Sequence, residues 1–309
     1  MSIAFVFPGQ GSQQVGMMDG YADDRAVRAT FDEASALLGE DLWQLAANGP
    51  AEAQNLTRNT QPLLLTASVA IWRAWQAAGG AAPSYMAGHS LGEYSALVAA
   101  GALTFRDAVP LVRFRAEAMQ DAVAPGVGAM AAVIGGDDDA IAQACAEASQ
   151  GEIVEPVNYN GPGQVVIAGH RAAVERAMAA AKARGAKRAM LLPVSAPFHS
   201  SLLAPAAKRL ARRLADVEFA SPRVPVVHNV DVTTHDTAAA MRDALARQAA
   251  SPVRWTETMR YLVAHGVTSV VECGPGRVLA GLARRVDDSL ATYSLTDPAV
   301  LADARTALA

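Results

Sequence analysis

A chain of 309 residues, 51% of them hydrophobic, is long enough to bury one large core with a smaller unit inserted or appended. Its formal net charge of −4 offers no basic field for nucleic acid or an anionic membrane surface. Two cysteines, Cys145 and Cys273, stand far apart without metal-ligand spacing, which argues against a disulfide framework or a zinc site and suits a reducing cytoplasm.

In chain order, Ile3 to Phe7 reads as a buried strand that turns at Pro8-Gly9-Gln10-Gly11. With no basic flank it does not resemble a signal peptide, and no later run reaches the roughly 18 apolar residues of a membrane helix. The Pro8–Gly11 turn also lacks the lysine of a phosphate-binding loop. Helical patterns follow at 25–38 and 61–78. Ser84 to Ala87 then reads as a short strand entering Gly88-His89-Ser90-Leu91-Gly92, a G-x-S-x-G sequence, and Leu91, Tyr94, Leu97, Val98 and Gly101 recur behind it at helical spacing. Strand, sharp turn and helix are what push a serine hydroxyl into a cleft, so Ser90 is a candidate nucleophile.

Thr104 should cap a helix running to about Ala122, with Pro110 bending it near its start. On that helix Arg113, Glu117, Gln120 and Asp121 form a polar face, whereas Arg115 falls in the middle of the apolar one. A charge there is costly unless paired. Two readings stay open: a structural ion pair with a buried Asp or Glu, or a planar fork presented to a substrate carboxylate.

From Gly128 the texture changes to strand (129–134), helix (137–149), strand (153–158), a Gly161-Pro162-Gly163 turn, strand (164–168), helix (172–184) and strand (187–192). This βαββαβ order is the ferredoxin-like split unit. It is expected to be a small domain, residues 124–193, inserted in a main α/β domain made of residues 1–123 and 194–309. The main domain resumes with a helix at 201–217, a strand at 224–229, a helix at 238–249, and a strand at 269–273 that enters Gly274-Pro275-Gly276. The helix at 201–217 sets Lys208, Arg209, Arg212 and Arg213 opposite Leu203, Ala206, Leu210 and Leu214. Such a basic face is usually only solvated, but it could steer an acidic partner.

A serine nucleophile needs a base, because its hydroxyl is barely ionised near neutral pH. Among six histidines, His199 stands out. It ends a loop fed by the apolar strand 190–194, directly before a helix whose dipole would disfavour the imidazolium. His89 adjoins Ser90 on the turn and should point away from its hydroxyl. No carboxylate between Ser90 and His199 clearly follows a buried strand into a loop, so a histidine held by a backbone carbonyl is expected in place of a full triad.

Phe7-Pro8-Gly9-Gln10-Gly11-Ser12-Gln13, Gly88-His89-Ser90-Leu91-Gly92-Glu93-Tyr94, the inward Arg115, Asn158-Tyr159-Asn160, Phe198-His199 and Glu272-Cys273-Gly274-Pro275-Gly276 occur in an order and spacing that resemble the malonyl-CoA:acyl carrier protein transacylases of fatty acid synthesis. The resemblance covers essentially the whole chain. It implies a hydrolase-like main domain, the ferredoxin-like insert, and an active site in the gorge between them. It also implies Ser90 as nucleophile, His199 as base, the Gln248 carbonyl orienting that base, and the backbone N–H groups of Gln10 and Leu91 as oxyanion hole. Arg115 would grip the malonyl carboxylate, with His89, Asn160 and Phe198 as further substrate-binding residues. Many malonyl-selective members carry a histidine three places before the catalytic one; here that residue is Ala196, while the bulky Phe198 is kept. The implied partners are malonyl-CoA and acyl carrier protein, with no cofactor or metal. Stand-alone acyltransferases of polyketide synthesis or malonate decarboxylation would share these motifs. A general serine esterase, with a triad acid and no need of a buried arginine, is the reading furthest from them.

Overall fold

The computed structural model describes residues 2–309. In chain order they form β1 (Ile3–Phe7), α1 (Arg25–Leu38), α2 (Leu42–Asn48), α3 (Ala51–Gln54), α4 (Thr57–Ala77), β2 (Tyr85–Gly88), α5 (Gly92–Ala99) and α6 (Phe105–Asp121). Next come β3 (Gly128–Ile134), α7 (Asp138–Ser149), β4 (Val154–Gly161), β5 (Gln164–His170), α8 (Arg171–Ala183) and β6 (Arg188–Leu191). The chain ends with α9 (Ala204–Ala215), β7 (Val226–Val227), α10 (Ala238–Gln248), α11 (Trp255–Ala264), β8 (Ser269–Glu272), α12 (Val278–Val286), β9 (Ala291–Ser294) and α13 (Pro298–Ala307).

Five strands form a parallel sheet in the order β7-β2-β1-β8-β9. Every residue of β1 is buried, as a strand covered by helices on both faces must be. Its alternation splits the core in two. Ile3, Phe5 and Phe7 face the layer of α1, α4, α5 and α6, where Phe5 lies 5.1 Å from the Trp72 ring and 5.3 Å from that of Trp75. Ala4 and Val6 face α11 and α12 through Trp255, Met259, Leu279 and Leu282.

The other sheet is antiparallel, in the order β4-β5-β3-β6. One face is closed by α7 and α8 over Ala131, Val133, Val165 and Ile167. The opposite face packs Met130, Val166 and Ala168 against Met119 of α6 and against Phe198 and Leu203. It is joined to the large sheet's surroundings at a seam, where Tyr159 N–H donates to Val253 O (3.0 Å) and Val253 N–H to Val157 O (2.9 Å). A cleft is left between the small sheet and the ends of β1 and β2.

Several expectations need correction. The helix expected from Gln61 starts at Thr57 and runs on through Pro62. The strand at 224–229 shrinks to the two residues of β7. The helix at 201–217 is a short 3-10 turn, Ser201–Leu203, followed by α9. Thr104 does cap α6, its Oγ1 accepting from Asp107 N–H at 3.1 Å, and the helix continues unbroken past Pro110. Helix α9 buries Ala206, Leu210 and Leu214 and exposes its basic face, from which Arg209 pairs with Asp121 at 3.1 Å. Among the described residues no helix is long and apolar enough to cross a membrane.

Two glycines test this packing in opposite directions. Gly281 lies on an exposed face of α12 with nothing within 4 Å of where a Cβ would stand. Gly281→Ala should therefore stabilise the protein by about 0.5–1 kcal/mol, chiefly by restricting the unfolded chain. At Gly92 a Cβ would lie 2.0 Å from the Phe7 carbonyl oxygen. Gly92→Ala should cost about 3 kcal/mol or more, because backbone rather than a flexible side chain must move. Denaturant melts of both variants against the parent read out the two signs.

Candidate active site

Ser90 sits where β2 hands over to α5, at φ +53°, a left-handed conformation that non-glycine residues rarely adopt. The bend is tight enough that a Cβ on Gly88 would lie 1.9 Å from the Gly92 carbonyl carbon. Asn229, just beyond β7, spans the bend: its Oδ1 accepts from Ser90 N–H at 2.7 Å, and its Nδ2 donates to Gly88 O at 2.7 Å. Ser90's own N–H is thereby used up. The N–H groups of Leu91 and Gln10 donate to no acceptor among the described residues, and both residues line the cleft.

His199, also at positive φ (+66°), places Nε2 2.7 Å from Ser90 Oγ and Nδ1 2.9 Å from the Gln248 carbonyl oxygen. A carbonyl can only accept, so Nδ1 carries the proton and the Nε2 lone pair faces the serine hydroxyl. The group that meets His199 Nδ1 is thus a backbone carbonyl. Burial, and then the positive charge of Arg115, push the His199 pKa down to about 3. A 3-10 turn, Ser201–Leu203, follows His199 and α9 begins at Ala204, while burial and a neighbouring guanidinium disfavour the charged imidazole.

Arg115 is 1% exposed. Its Nη1 donates to Gln61 Oε1 (2.7 Å), and its Nη2 to Gln248 Oε1 (2.9 Å) and Ser90 Oγ (3.2 Å), while Nε has no partner. The Tyr94 ring centroid lies 5.4 Å from the guanidinium carbon. All its acceptors are neutral, and no ion pair to Asp or Glu forms among the described residues, so the structural ion-pair reading is not what the geometry holds. A buried guanidinium without a carboxylate partner favours an anion that arrives with a ligand.

A cavity of about 420 Å³ opens onto these groups. Ser90, His199, Arg115, Gln10, Leu91, His89, Asn160 and Phe198 all line it; Gln248 lies just behind. His89 turns away from Ser90 and its Nε2 lies 2.8 Å from Asn160 Oδ1, with its ring 5.5 Å from that of Trp255. Burial lowers its pKa as well. The nine residues singled out in the sequence therefore gather in one place. Gln61 and Asn229 were missed there; a glutamine next to the apolar run of α4 is the one local signal either of them offers.

A serine hydroxyl bonded to a neutral buried imidazole, beside two unengaged backbone N–H groups, can be acylated and deacylated, which places the fold in the broad class of serine acyltransferases and hydrolases. A family model described as an acyl transferase domain matches residues 4–296. The malonyl CoA-acyl carrier protein transacylase of Salmonella typhimurium is 58% identical over 304 residues, 98% of each chain. An acyl-carrier-protein S-malonyltransferase from Burkholderia pseudomallei superposes with a TM-score of 0.98 at 59% identity, covering 99% of this chain and 100% of that one. A malonyl-transacylase solved in complex with its type II PKS acyl-carrier protein gives a TM-score of 0.98 at 54% identity, again over 99% and 100% of the chains. The chain belongs to the acyl transferase domain family and, within it, to the malonyl CoA-acyl carrier protein transacylases.

The electrostatic coupling of His199 to Arg115 can be tested without any natural substrate. Removing the guanidinium in Arg115→Ala removes a charge that opposes protonation, so the imidazole should protonate at a higher pH. The acid limb for phosphonylation of Ser90 by an uncharged fluorophosphonate should then move upward in pH. A limb that stays in place would assign the low basicity of His199 to burial alone.

Proposed function

We propose that this protein moves the malonyl group from malonyl-CoA to the phosphopantetheine thiol of acyl carrier protein, by way of an ester on Ser90, and so supplies fatty acid synthesis. The names of its relatives support the substrates and the partner. Arg115 is the observation that carries the substrate class: a buried fork with only neutral partners, 3.2 Å from Ser90 Oγ, is placed to receive the free carboxylate of an acyl group borne by that oxygen.

In the first half-reaction Ser90 Oγ attacks the thioester carbonyl while His199 Nε2 takes the hydroxyl proton. The developing oxyanion lies toward the N–H groups of Gln10 and Leu91. The carbon–sulfur bond breaks, and the imidazolium returns its proton to the departing CoA thiolate. The second half-reaction reverses these roles: the carrier's thiol gives its proton to His199, attacks the ester, and restores Ser90. His89 and Asn160 shape one side of the chamber and Phe198 another. A hydrolytic triad would want a carboxylate on His199 Nδ1, where this protein has the Gln248 carbonyl.

In this reading residues 1–123 and 194–309 form a hydrolase-like main domain and residues 124–193 a ferredoxin-like insert. The antiparallel order of the small sheet supports the second assignment, because taking its strands in chain order gives 4-1-3-2 across the sheet from β6 to β4.

Incubation of the protein with malonyl-CoA should leave a malonyl adduct visible in the intact mass. Ser90→Ala should abolish it with the fold retained, and a fully labelled Ser90→Ala protein would put the nucleophile elsewhere. For Arg115→Ala, the loss of two charge-assisted hydrogen bonds, each about 1.5–3 kcal/mol, should lower kcat/KM for malonyl-CoA by about 10²–10⁴. Acetyl transfer has no carboxylate to lose and should hold or rise. Equal losses for the two acyl groups would rule out Arg115 as the malonyl clamp.

A further inference from the structure

We infer that Glu93 is a positioning residue for acyl selectivity: through the Gln248 amide it fixes which face the Arg115 fork meets, and so holds that fork open to a substrate carboxylate. The inference rests on the malonyl reading of Arg115 given above.

Glu93 lies in the first turn of α5, three residues after the nucleophile, and is fully buried. Its Oε1 is 2.7 Å from His228 Nδ1, and its Oε2 accepts from Asn229 N–H (2.9 Å) and from Gln248 Nε2 (2.9 Å). The second hydrogen of Gln248 Nε2 goes to the Ser90 carbonyl oxygen at 2.9 Å. Both partners on the nitrogen side of this amide can only accept. On its oxygen side stands Arg115 Nη2, which can only donate. An amide has nearly the same shape either way round, so these partners decide its orientation. A reversed amide would set its NH₂ against the guanidinium and lose all three bonds.

The arrangement resolves a conflict. A buried guanidinium with no counter-charge is expensive, yet a direct ion pair with a protein carboxylate would occupy the fork that a substrate must use. Here the carboxylate stands one amide away. The amide oxygen it presents is a neutral acceptor, which leaves the second Nη1 hydrogen and the Nε–H of Arg115 without a protein partner. Glu93 also braces Asn229, whose side chain holds the elbow, so a test must separate selectivity from general support.

The quantity that separates them is the ratio of kcat/KM for malonyl-CoA to that for acetyl-CoA. General loosening lowers both activities and leaves the ratio alone. Glu93→Met removes the acceptor from Gln248, and Gln248→Met removes the relay while keeping the backbone carbonyl that holds His199. Each should lower the ratio by about tenfold, the worth of one charge-assisted hydrogen bond. The double variant should lower it no further, since both changes cut the same relay. Glu93→Gln can still accept from both N–H groups with one oxygen while turning its NH₂ to His228, and should keep the ratio within about threefold of the parent. Should Glu93→Met fail to fold, Glu93→Asp takes its place, since a carboxylate one methylene shorter withdraws from Gln248 and should lower the ratio likewise.

An unchanged ratio in the Glu93→Met or Glu93→Asp variant, or additive losses in the double variant, would overturn the inference. So would a fall in Glu93→Gln as large as in Glu93→Met, because charge alone would then be at work. Arg115→Ala, measured alongside, keeps the two questions apart: if its ratio does not collapse, the malonyl reading of Arg115 fails, whereas a collapse there with no change at Glu93 defeats only the present inference.

Discussion

The 2.7 Å contact between Ser90 Oγ and His199 Nε2 joins residues 109 positions apart, each on a backbone turn at positive φ. Neither conformation is comfortable for its residue, so each must be held by its surroundings. At Ser90 the holding is done by Asn229 on both sides of the bend and by the close seating of Gly92 on the Phe7 carbonyl. At His199 it is done by the Gln248 carbonyl, and by the packing of Phe198 and Leu203 against the inner face of the small sheet. The large sheet thus supplies one partner and its junction with the small sheet supplies the other. The reactive pair exists only when both are assembled.

Much of this was legible locally. Strand β1, the serine turn, the Thr104 cap and each single element of the βαββαβ unit declare themselves within a short window, through periodicity, glycine placement or a capping side chain. What escaped has nonlocal causes. Helix α12 has no side-chain cap of its own; the buried carboxylate of Glu272, on β8, accepts from the Leu279 and Ala280 N–H groups instead. Helix α4 starts after Leu56, again with no side-chain cap, and α11 starts after Arg254 in the same way. Strand β9 has no fully buried residue, so it lacks the apolar run that marks its neighbour β8. Helix α13 did offer a start signal, Asp297 followed by Pro298.

The site divides along the same line. Ser90 and His199 could be found from their own neighbours, and the position of Arg115 on an apolar face marked it as unusual. The partners could not be found so. Gln61 meets Arg115 across 54 positions and Asn229 meets Ser90 across 139, and neither spacing leaves a trace in a local pattern. The surroundings of His199 were hidden for a related reason: a helix start can be read from sequence, whereas burial beside a guanidinium requires knowing what packs on what.

The alternation of the small sheet separates two properties that in many active sites are tied together. Met130 on β3 and Val166 on β5 face the cavity, while their chain neighbours Ala131 and Val165 face α7 and α8. The wall against which an acyl chain would rest is therefore built from alternate residues of strands that carry neither Ser90 nor His199, although the same face packs against Phe198 beside His199. Volume can be added to or taken from that wall one side chain at a time, with the intervening residues still anchoring the strands to their helices. In such a scaffold the width of the chamber can change without replacing a reacting group, but each change at Met130 or Val166 is also felt by Phe198, the neighbour of His199.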